Sequence, residues 1–226
     1  MDDPVRLVLQ LTVLIFSCVF HECAHVWAAW KQGDPTGKAL GRLTLNPLPH
    51  IDLFWTILLP TFMAMTGGMI FGGPKPAPFD PSYFRKPRLG TLWVALAGPA
   101  SNLLLAAASL FALWALRHAA PGWMEADSFN AYVLISFIFL NVVLAAVNLI
   151  PIPPLDGSRV LQYMLGPKAD AFFAQLNFFS LIAVYLTFMY IAPAVIRPAT
   201  GAVIRLLARM FDDGYLETLL RTFFNL

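Results

Sequence analysis

"VRLVLQLTVLIFSCVFHECAHVWAAW", residues 5–30, is the stretch of the chain that decides the fold. Its apolar part approaches the roughly 20 residues that a helix needs to cross a bilayer. Because it is too long for the core of a signal peptide, we expect a retained transmembrane helix. Near its end the stretch contains His21, Glu22 and His25. Ionisable side chains within an apolar span are costly and usually functional, so these residues predict a site inside the membrane.

The composition of the whole chain supports a membrane protein. Of the 226 residues, 58% are hydrophobic and only 12% are charged, and the mean hydropathy is +0.67. Soluble domains are usually about half apolar and a quarter charged. We therefore expect one polytopic membrane domain over residues 1–226. The net charge of +2, without a basic block, argues against nucleic-acid binding. Cys18 and Cys23 both lie in the first helix, which makes a disulfide framework improbable.

The remaining apolar stretches predict an all-α integral membrane protein with about four full transmembrane helices. The segment 51–71 is also apolar, but Pro60 and a glycine pair interrupt it. The C-terminal residues 201–226 mix apolar and charged side chains, which is typical of an amphipathic helix at the membrane interface. The four predicted spans are Pro4–Trp30, Leu92–Leu116, Phe129–Ile150 and Ala171–Ile196.

The spacing of the polar cluster is typical of a metal site. His21 and His25 are four residues apart, so a helix presents both imidazoles on one face. Glu22 lies beside the first histidine and can reach a metal-bound water without being a ligand. This H-E-x-x-H pattern on a helix is the arrangement of zinc hydrolases, in which three protein ligands hold the ion and water takes the fourth position. We expect one Zn²⁺ per chain.

A third ligand is needed, and the sequence offers three candidates. His118 lies in a short loop and is better interpreted as solvated, whereas His50 lies at the start of the interrupted apolar segment. Asp156 follows the broken end of the third predicted span in an otherwise apolar neighbourhood, where a carboxylate suggests a bound cation. An alternative role for Asp156 is to cap the helix that follows it.

Three motifs together resemble the site-2 protease family of intramembrane zinc metalloproteases, in its small branch without a PDZ domain. They are "HECAH" at 21–25, "VALAGPASNLLLA" at 94–106 and "NLIPIPPLDGSRVL" at 148–161. The resemblance covers nearly the whole chain. It implies peptide bonds in or near transmembrane segments of membrane proteins as the substrate.

The resemblance also implies roles for single residues. His21, His25 and Asp156 would hold zinc, and Glu22 would be the general base. Asn148 would bind the substrate backbone or stabilise the oxyanion. A simpler interpretation of Asn148 is an amide that satisfies its own helix end. For the small residues at 97–102, close helix packing is the favoured interpretation, with Asn102 capping or bonding across helices.

Shared ligands constrain the topology. Because Asp156 must reach the histidines, the helix 129–150 must end on the membrane face where the first helix ends. Two membrane crossings, by the second and third predicted spans, then lie between the histidines and Asp156. The segment 51–71 cannot add another crossing, so we predict that it is re-entrant. With this topology nine basic residues lie on the face of the site and two on the other face, before the C-terminal tail is counted. This bias predicts a cell-membrane protein whose site opens toward the cytoplasm.

Two functional hypotheses follow. The first is an intramembrane zinc protease, and the alternative is a non-proteolytic metal-binding protein such as a transporter or sensor. Glu22 separates them, because a transporter has no need for a carboxylate that is not a ligand. The sequence does not determine the oligomeric state.

Overall fold

The structure, a computed structural model, describes residues 3–58, 73–178 and 180–224. Helices account for most of this part of the chain. We number them α1 Asp3–Lys31, α2 Thr36–Ala39, α3 Pro87–Ala119, α4 Phe129–Asn148, α5 Asp156–Leu165, α6 Asp170–Phe178, α7 Ser180–Leu186, α8 Ala192–Met210 and α9 Asp213–Phe224.

Among the described residues, four helices are long and apolar enough to cross a membrane: Pro4–Lys31, Pro87–Ala119, Phe129–Asn148 and Ile182–Met210. The prediction of an all-α membrane protein with four spans is therefore confirmed. The first three spans contain or nearly match the predicted ones.

The predicted end of the fourth span, Ala171–Ile196, is wrong, because the helix extends to Met210. The long helix instead passes through a π-helical turn, Thr187–Ile191, and continues beyond Pro198. Packing explains this continuation, because Val203 and Leu207 are buried in the apolar core.

The spans pack so that one end of the bundle is apolar and the other is polar. We call the first the apolar end; it buries Leu113 of α3, Ile135 of α4, Leu207 of α8 and Leu219 of α9 in one cluster. The second, the polar end, is where α1 and α4 finish and α3 begins. There Ala192, near the start of α8, packs against Val147, so α8 runs antiparallel to α4.

The C-terminal helix α9 is amphipathic, as predicted. Tyr215, Leu216 and Leu219 are buried on one face, while Glu217 and Arg221 form an exposed ion pair on the other. The predicted amphipathic segment began at residue 201, but residues 201–210 belong to α8.

Most of the predicted re-entrant segment lies outside the described residues, which omit 59–72. Its two flanks are described and are hydrogen-bonded to each other. The N–H of Lys75 donates to the carbonyl of His50 at 2.7 Å, and the Thr56 hydroxyl donates to the carbonyl of Gly73 at 2.7 Å. Both flanks therefore lie side by side, next to the polar end.

Candidate metal centre

Two imidazoles meet in the last third of α1. His21 and His25 are one helical turn apart, and both are buried, with relative exposures of 6% and 4%. Their Nε2 atoms lie 3.0 Å from each other. Because a helix fixes residues i and i+4 on one face, this pair follows directly from local sequence.

The third group comes from the start of α5. Asp156 is the first residue of that helix, and its Oδ2 lies 3.1 Å from Nε2 of His21 and 3.2 Å from Nε2 of His25. The N-cap is Leu155, and no side chain caps the helix, so Asp156 does not have the alternative role of a helix cap.

Gly157 brings the start of α5 onto the end of α4. A Cβ at this position would lie 2.2 Å from the carbonyl oxygen of Leu149 and 2.6 Å from that of Ile150. These are backbone atoms that cannot move aside, so only glycine allows the approach. The contact holds the neighbouring Asp156 against the histidines.

The ring orientations fit a metal ion. The Val94 carbonyl, which can only accept, lies 2.7 Å from Nδ1 of His25, so that nitrogen carries the proton. Asn102 Oδ1 lies 2.5 Å from Nδ1 of His21. With both Nδ1 atoms protonated, both Nε2 lone pairs face the Asp156 carboxylate. Their spacings of 3.0–3.2 Å are close to the edge of about 3.3 Å that a tetrahedral zinc with bonds near 2.05 Å requires.

Gly98 of α3 gives the donor atoms their space. A Cβ on Gly98 would lie 2.4 Å from Nε2 of His25 and 2.5 Å from Nε2 of His21. Any side chain would therefore occupy the position where the two ligand atoms face each other. Close helix packing was the favoured interpretation of residues 97–102. It is incomplete, because Gly98 lies against the histidine rings themselves.

Glu22 lies beside the histidines without sharing their hydrogen bonds. The residue is 8% exposed, and one potential ligand atom from each of His21, Glu22 and His25 lies within 4.8 Å of the others. The Ala77 N–H faces the carboxylate. Within the described residues, however, Oε2 has no hydrogen-bond partner. A buried carboxylate oxygen left in this way can accept a proton from a water at the centre.

A cavity of about 260 Å³ adjoins the cluster. Asn148, the last residue of α4, lines it together with Pro74, Ala77 and Arg159. The Asn148 amide donates one hydrogen bond to the Leu144 carbonyl at 2.9 Å, as the simpler interpretation expected. An amide nitrogen carries two N–H groups, so one remains for a second acceptor.

The other two histidines lie away from the cluster. Nε2 of His50 is 3.0 Å from the Thr44 carbonyl, and Nδ1 of His118 is 2.7 Å from the Trp114 carbonyl. Each ring is thus paired with backbone near its own position in the chain. Of the three candidates for the third donor, the structure brings only Asp156 to His21 and His25.

Sequence reasoning understated Asn102 and passed over Asn141. Both are completely buried in spans, and Asn102 Nδ2 donates to Asn141 Oδ1 at 2.7 Å. The signal that could have found them is a polar side chain within an apolar span, the same signal that identified the histidines. For Asn102 there is a second signal, because it lies four residues after Gly98 on the same face of α3.

Comparison with known proteins places this geometry in context. Residues 123–189, which include Asn148 and Asp156, match the family model described as Peptidase family M50. The chain is 35% identical over 216 residues to the Bacillus subtilis protein named "Putative zinc metalloprotease YwhC", covering 92% of this chain and 95% of that protein.

Two mycobacterial proteins, each named "Putative zinc metalloprotease Rip2", are also similar. The one from Mycolicibacterium smegmatis is 34% identical over 167 residues, which cover 72% of this chain and 60% of its own length. The one from Mycobacterium tuberculosis strain H37Rv is 31% identical over 189 residues, which cover 83% and 68%. No solved structure matches the chain.

Proposed function

Because the chain belongs to peptidase family M50, we propose that it is an intramembrane zinc metalloprotease. Its substrates would be membrane proteins, cleaved internally at peptide bonds in or near their transmembrane segments. The four apolar helices give it a multi-pass membrane setting. The relatives are named for zinc, and the donor set of this chain suits the same ion.

One observation carries the proposal. His21, His25 and Asp156 come from two helices far apart in the chain, yet their donor atoms lie within 3.2 Å of one another in a buried position. Donor atoms at this spacing share a proton or a metal ion, and because Nδ1 carries the ring proton in both histidines, a metal ion is favoured. Two imidazoles and one carboxylate also leave a fourth tetrahedral position for water, which distinguishes catalytic from structural zinc sites.

The chain's own residues supply the rest of the chemistry. Zinc held by His21, His25 and Asp156 would lower the pKa of a bound water and polarise the scissile carbonyl. Glu22 would accept the proton of that water on its unpartnered Oε2 and pass it to the leaving amine. Burial keeps Glu22 away from bulk water, so its proton goes to the substrate.

Asn148 would hold the substrate carbonyl. It lines the cavity beside Asp156, and its second N–H is free of the bond to Leu144. A donor fixed in this way stabilises the negative charge that develops on the carbonyl oxygen. A substrate helix hides its carbonyls in its own hydrogen bonds, so the substrate would enter locally unwound.

We propose that the site opens toward the cytoplasm. Nine of the basic residues fall on the face where α1 ends and two on the other face before the C-terminal tail is counted, and cytoplasmic faces carry such an excess. Lys38 lies 4.2 Å above the ring of Trp30, and Lys31 lies 5.1 Å above it. Aromatic and basic residues together are typical of an anchor at the membrane surface.

Metal analysis and a cleavage assay test the proposal together. Wild-type protein purified in detergent should contain one zinc per chain and cleave a peptide with a transmembrane segment. Asp156→Ala should lose the zinc. Glu22→Gln should keep the zinc and lose cleavage by about 10²- to 10⁴-fold, the usual contribution of a general base.

Asp127→Ala is the control, because this exposed carboxylate lies on the opposite side of the bundle. It should change neither zinc content nor cleavage. Stoichiometric zinc in Asp156→Ala would overturn the ligand set. Unchanged cleavage in Glu22→Gln would overturn the mechanism, and zinc binding without any cleavage would favour a metal transporter or sensor.

A further inference from the structure

A chain of buried polar side chains connects three spans and ends on the first histidine. Asn141 of α4 donates from Nδ2 to the hydroxyl of Ser17 in α1 at 2.8 Å. Its Oδ1 accepts from Asn102 Nδ2 of α3 at 2.7 Å, and Asn102 Oδ1 meets His21 Nδ1 at 2.5 Å. Ser17, Asn102 and Asn141 each have 0% exposure. We call these three residues the amide relay.

Two backbone carbonyls fix the direction of the relay. Nδ2 of Asn141 also donates to the Phe137 carbonyl at 2.9 Å, and Nδ2 of Asn102 also lies 3.4 Å from the Ser17 carbonyl. A carbonyl can only accept, so the NH₂ group of each amide must face it. Each amide oxygen then faces the other way. For Asn102, that direction is toward His21.

The relay thereby determines the tautomer of the His21 ring. Because Asn102 presents an oxygen, Nδ1 of His21 must donate, and the lone pair of Nε2 then faces Asp156. His25 is oriented differently, by the backbone carbonyl of Val94. Only His21 therefore depends on side chains of two other helices.

We propose that Asn102 and Asn141 are positioning residues for the metal, with Asn141 acting through Asn102. This inference rests on the proposed zinc site and adds two residues to it. A polar side chain buried in an apolar span is costly unless it has a specific use. Groups that bond the far nitrogen of a metal-binding histidine fix its ring and tautomer, and losing one typically weakens metal binding 10- to 100-fold.

Zinc affinity, measured by competition with a chelator, tests the proposal without using activity. Asn102→Leu should weaken binding about 10- to 100-fold, whereas Asn102→Asp keeps an acceptor for His21 and should stay within about threefold of wild type. Asn141→Leu should weaken binding about 3- to 10-fold, because the NH₂ group of Asn102 then keeps only its longer bond to the Ser17 carbonyl.

Ser136→Ala is the matched control. Ser136 is also 0% exposed on α4, but its hydroxyl donates to the Tyr132 carbonyl and has no path to His21. Both Ser136→Ala and Asn141→Leu remove a buried polar group, so a purely structural effect would lower the thermal midpoint in both. Only Asn141→Leu should also lower zinc affinity.

Nitrogen-15 NMR of histidine-labelled protein gives a second readout in a chain with four histidines. In Asn102→Leu the Nδ1 signal of His21 should move, and that of His25 should not. Equal zinc affinity in Asn141→Leu and Ser136→Ala would overturn the relay while leaving the protease proposal standing. Absence of zinc from the wild type would overturn both.

Discussion

The two ends of the bundle bury their side chains equally well but with opposite chemistry. At the apolar end Leu113 and Leu207 have 0% exposure, and at the polar end Asn102 and Asn141 have 0% exposure. In a bilayer, apolar helix faces gain little from leaving lipid, so apolar contacts contribute mainly close packing. Directional hydrogen bonds instead determine which atoms meet. We therefore expect the apolar end to govern stability and the polar end to govern metal binding.

Gly98→Ala is expected to have the largest effect, and it acts at the polar end. Its Cβ would lie 2.4–2.5 Å from the donor nitrogens of His25 and His21. Both rings must then move, and we expect zinc affinity to fall more than about 100-fold, beyond what losing one hydrogen-bond partner of a ligand causes. Metal analysis after dialysis against a weak chelator measures this loss.

Gly122→Ala is the control for that substitution, because a Cβ there meets no atom within 4 Å. It should retain full zinc content. Stoichiometric zinc in Gly98→Ala would mean that the rings have room to move apart, and that close packing at the polar end does not define the metal site.

Leu219→Ala tests the apolar end. Leu219 has 1% exposure and packs in the cluster of α3, α4, α8 and α9. Because α9 is not among the four spans, the range for water-soluble cores applies, in which truncation of a buried leucine lowers the free energy of unfolding by about 2–5 kcal/mol. We expect a loss in this range by denaturant titration in detergent, with zinc affinity unchanged. Leu206→Ala, at an exposed position of α8, is the control and should have little effect. Weaker zinc binding in Leu219→Ala would contradict the expectation that the apolar end governs only stability.

Local pattern was enough to predict much of the site and the fold. The histidine pair follows from spacing on one helix, and three of the four spans follow from length and hydropathy. The meeting of Asp156 with the histidines was expected from the family resemblance, and it was then the premise from which the crossings were counted.

Features that depend on contacts between distant helices could not be predicted. The fourth span continues beyond Pro198 because Val203 and Leu207 pack against other helices, which no local signal reveals. Asn141 could be noticed as polar within an apolar span, but its partners Ser17 and Asn102 belong to two other helices. The direction of each amide depends on backbone carbonyls that only the fold brings near.

Arg42→Met is expected to have a smaller effect. It tests whether the polar end includes residues 73–77, most of which line the cavity and which we call the covering chain. Arg42 is 4% exposed, and its guanidinium donates to the carbonyls of Lys75 and Pro76. Pro76 lines the cavity. Without this anchor the covering chain should loosen, and we expect kcat/KM for a transmembrane peptide to fall about tenfold, as misplaced substrate contacts can cause.

Zinc affinity should be unchanged in Arg42→Met, because Arg42 contacts no ligand. Arg85→Met removes an exposed arginine from the same face and should leave kcat/KM near that of wild type. Loss of zinc from Arg42→Met would show that the covering chain and the metal site are one unit.

Arg221→Gln should have the smallest effect, although it removes an ion pair at the apolar end. Arg221 Nη2 lies 2.8 Å from Glu217 Oε1, but the two side chains are 66% and 64% exposed. Water and salt screen such pairs, and i,i+4 pairs on helices contribute about 0.3–0.5 kcal/mol. A double-mutant cycle with Glu217→Gln, at low and high salt, measures the coupling. A coupling above about 1 kcal/mol would mean that charge, and not only apolar packing, holds α9 in place. The contrast between the two ends would then be one of degree, with directional contacts stabilising both.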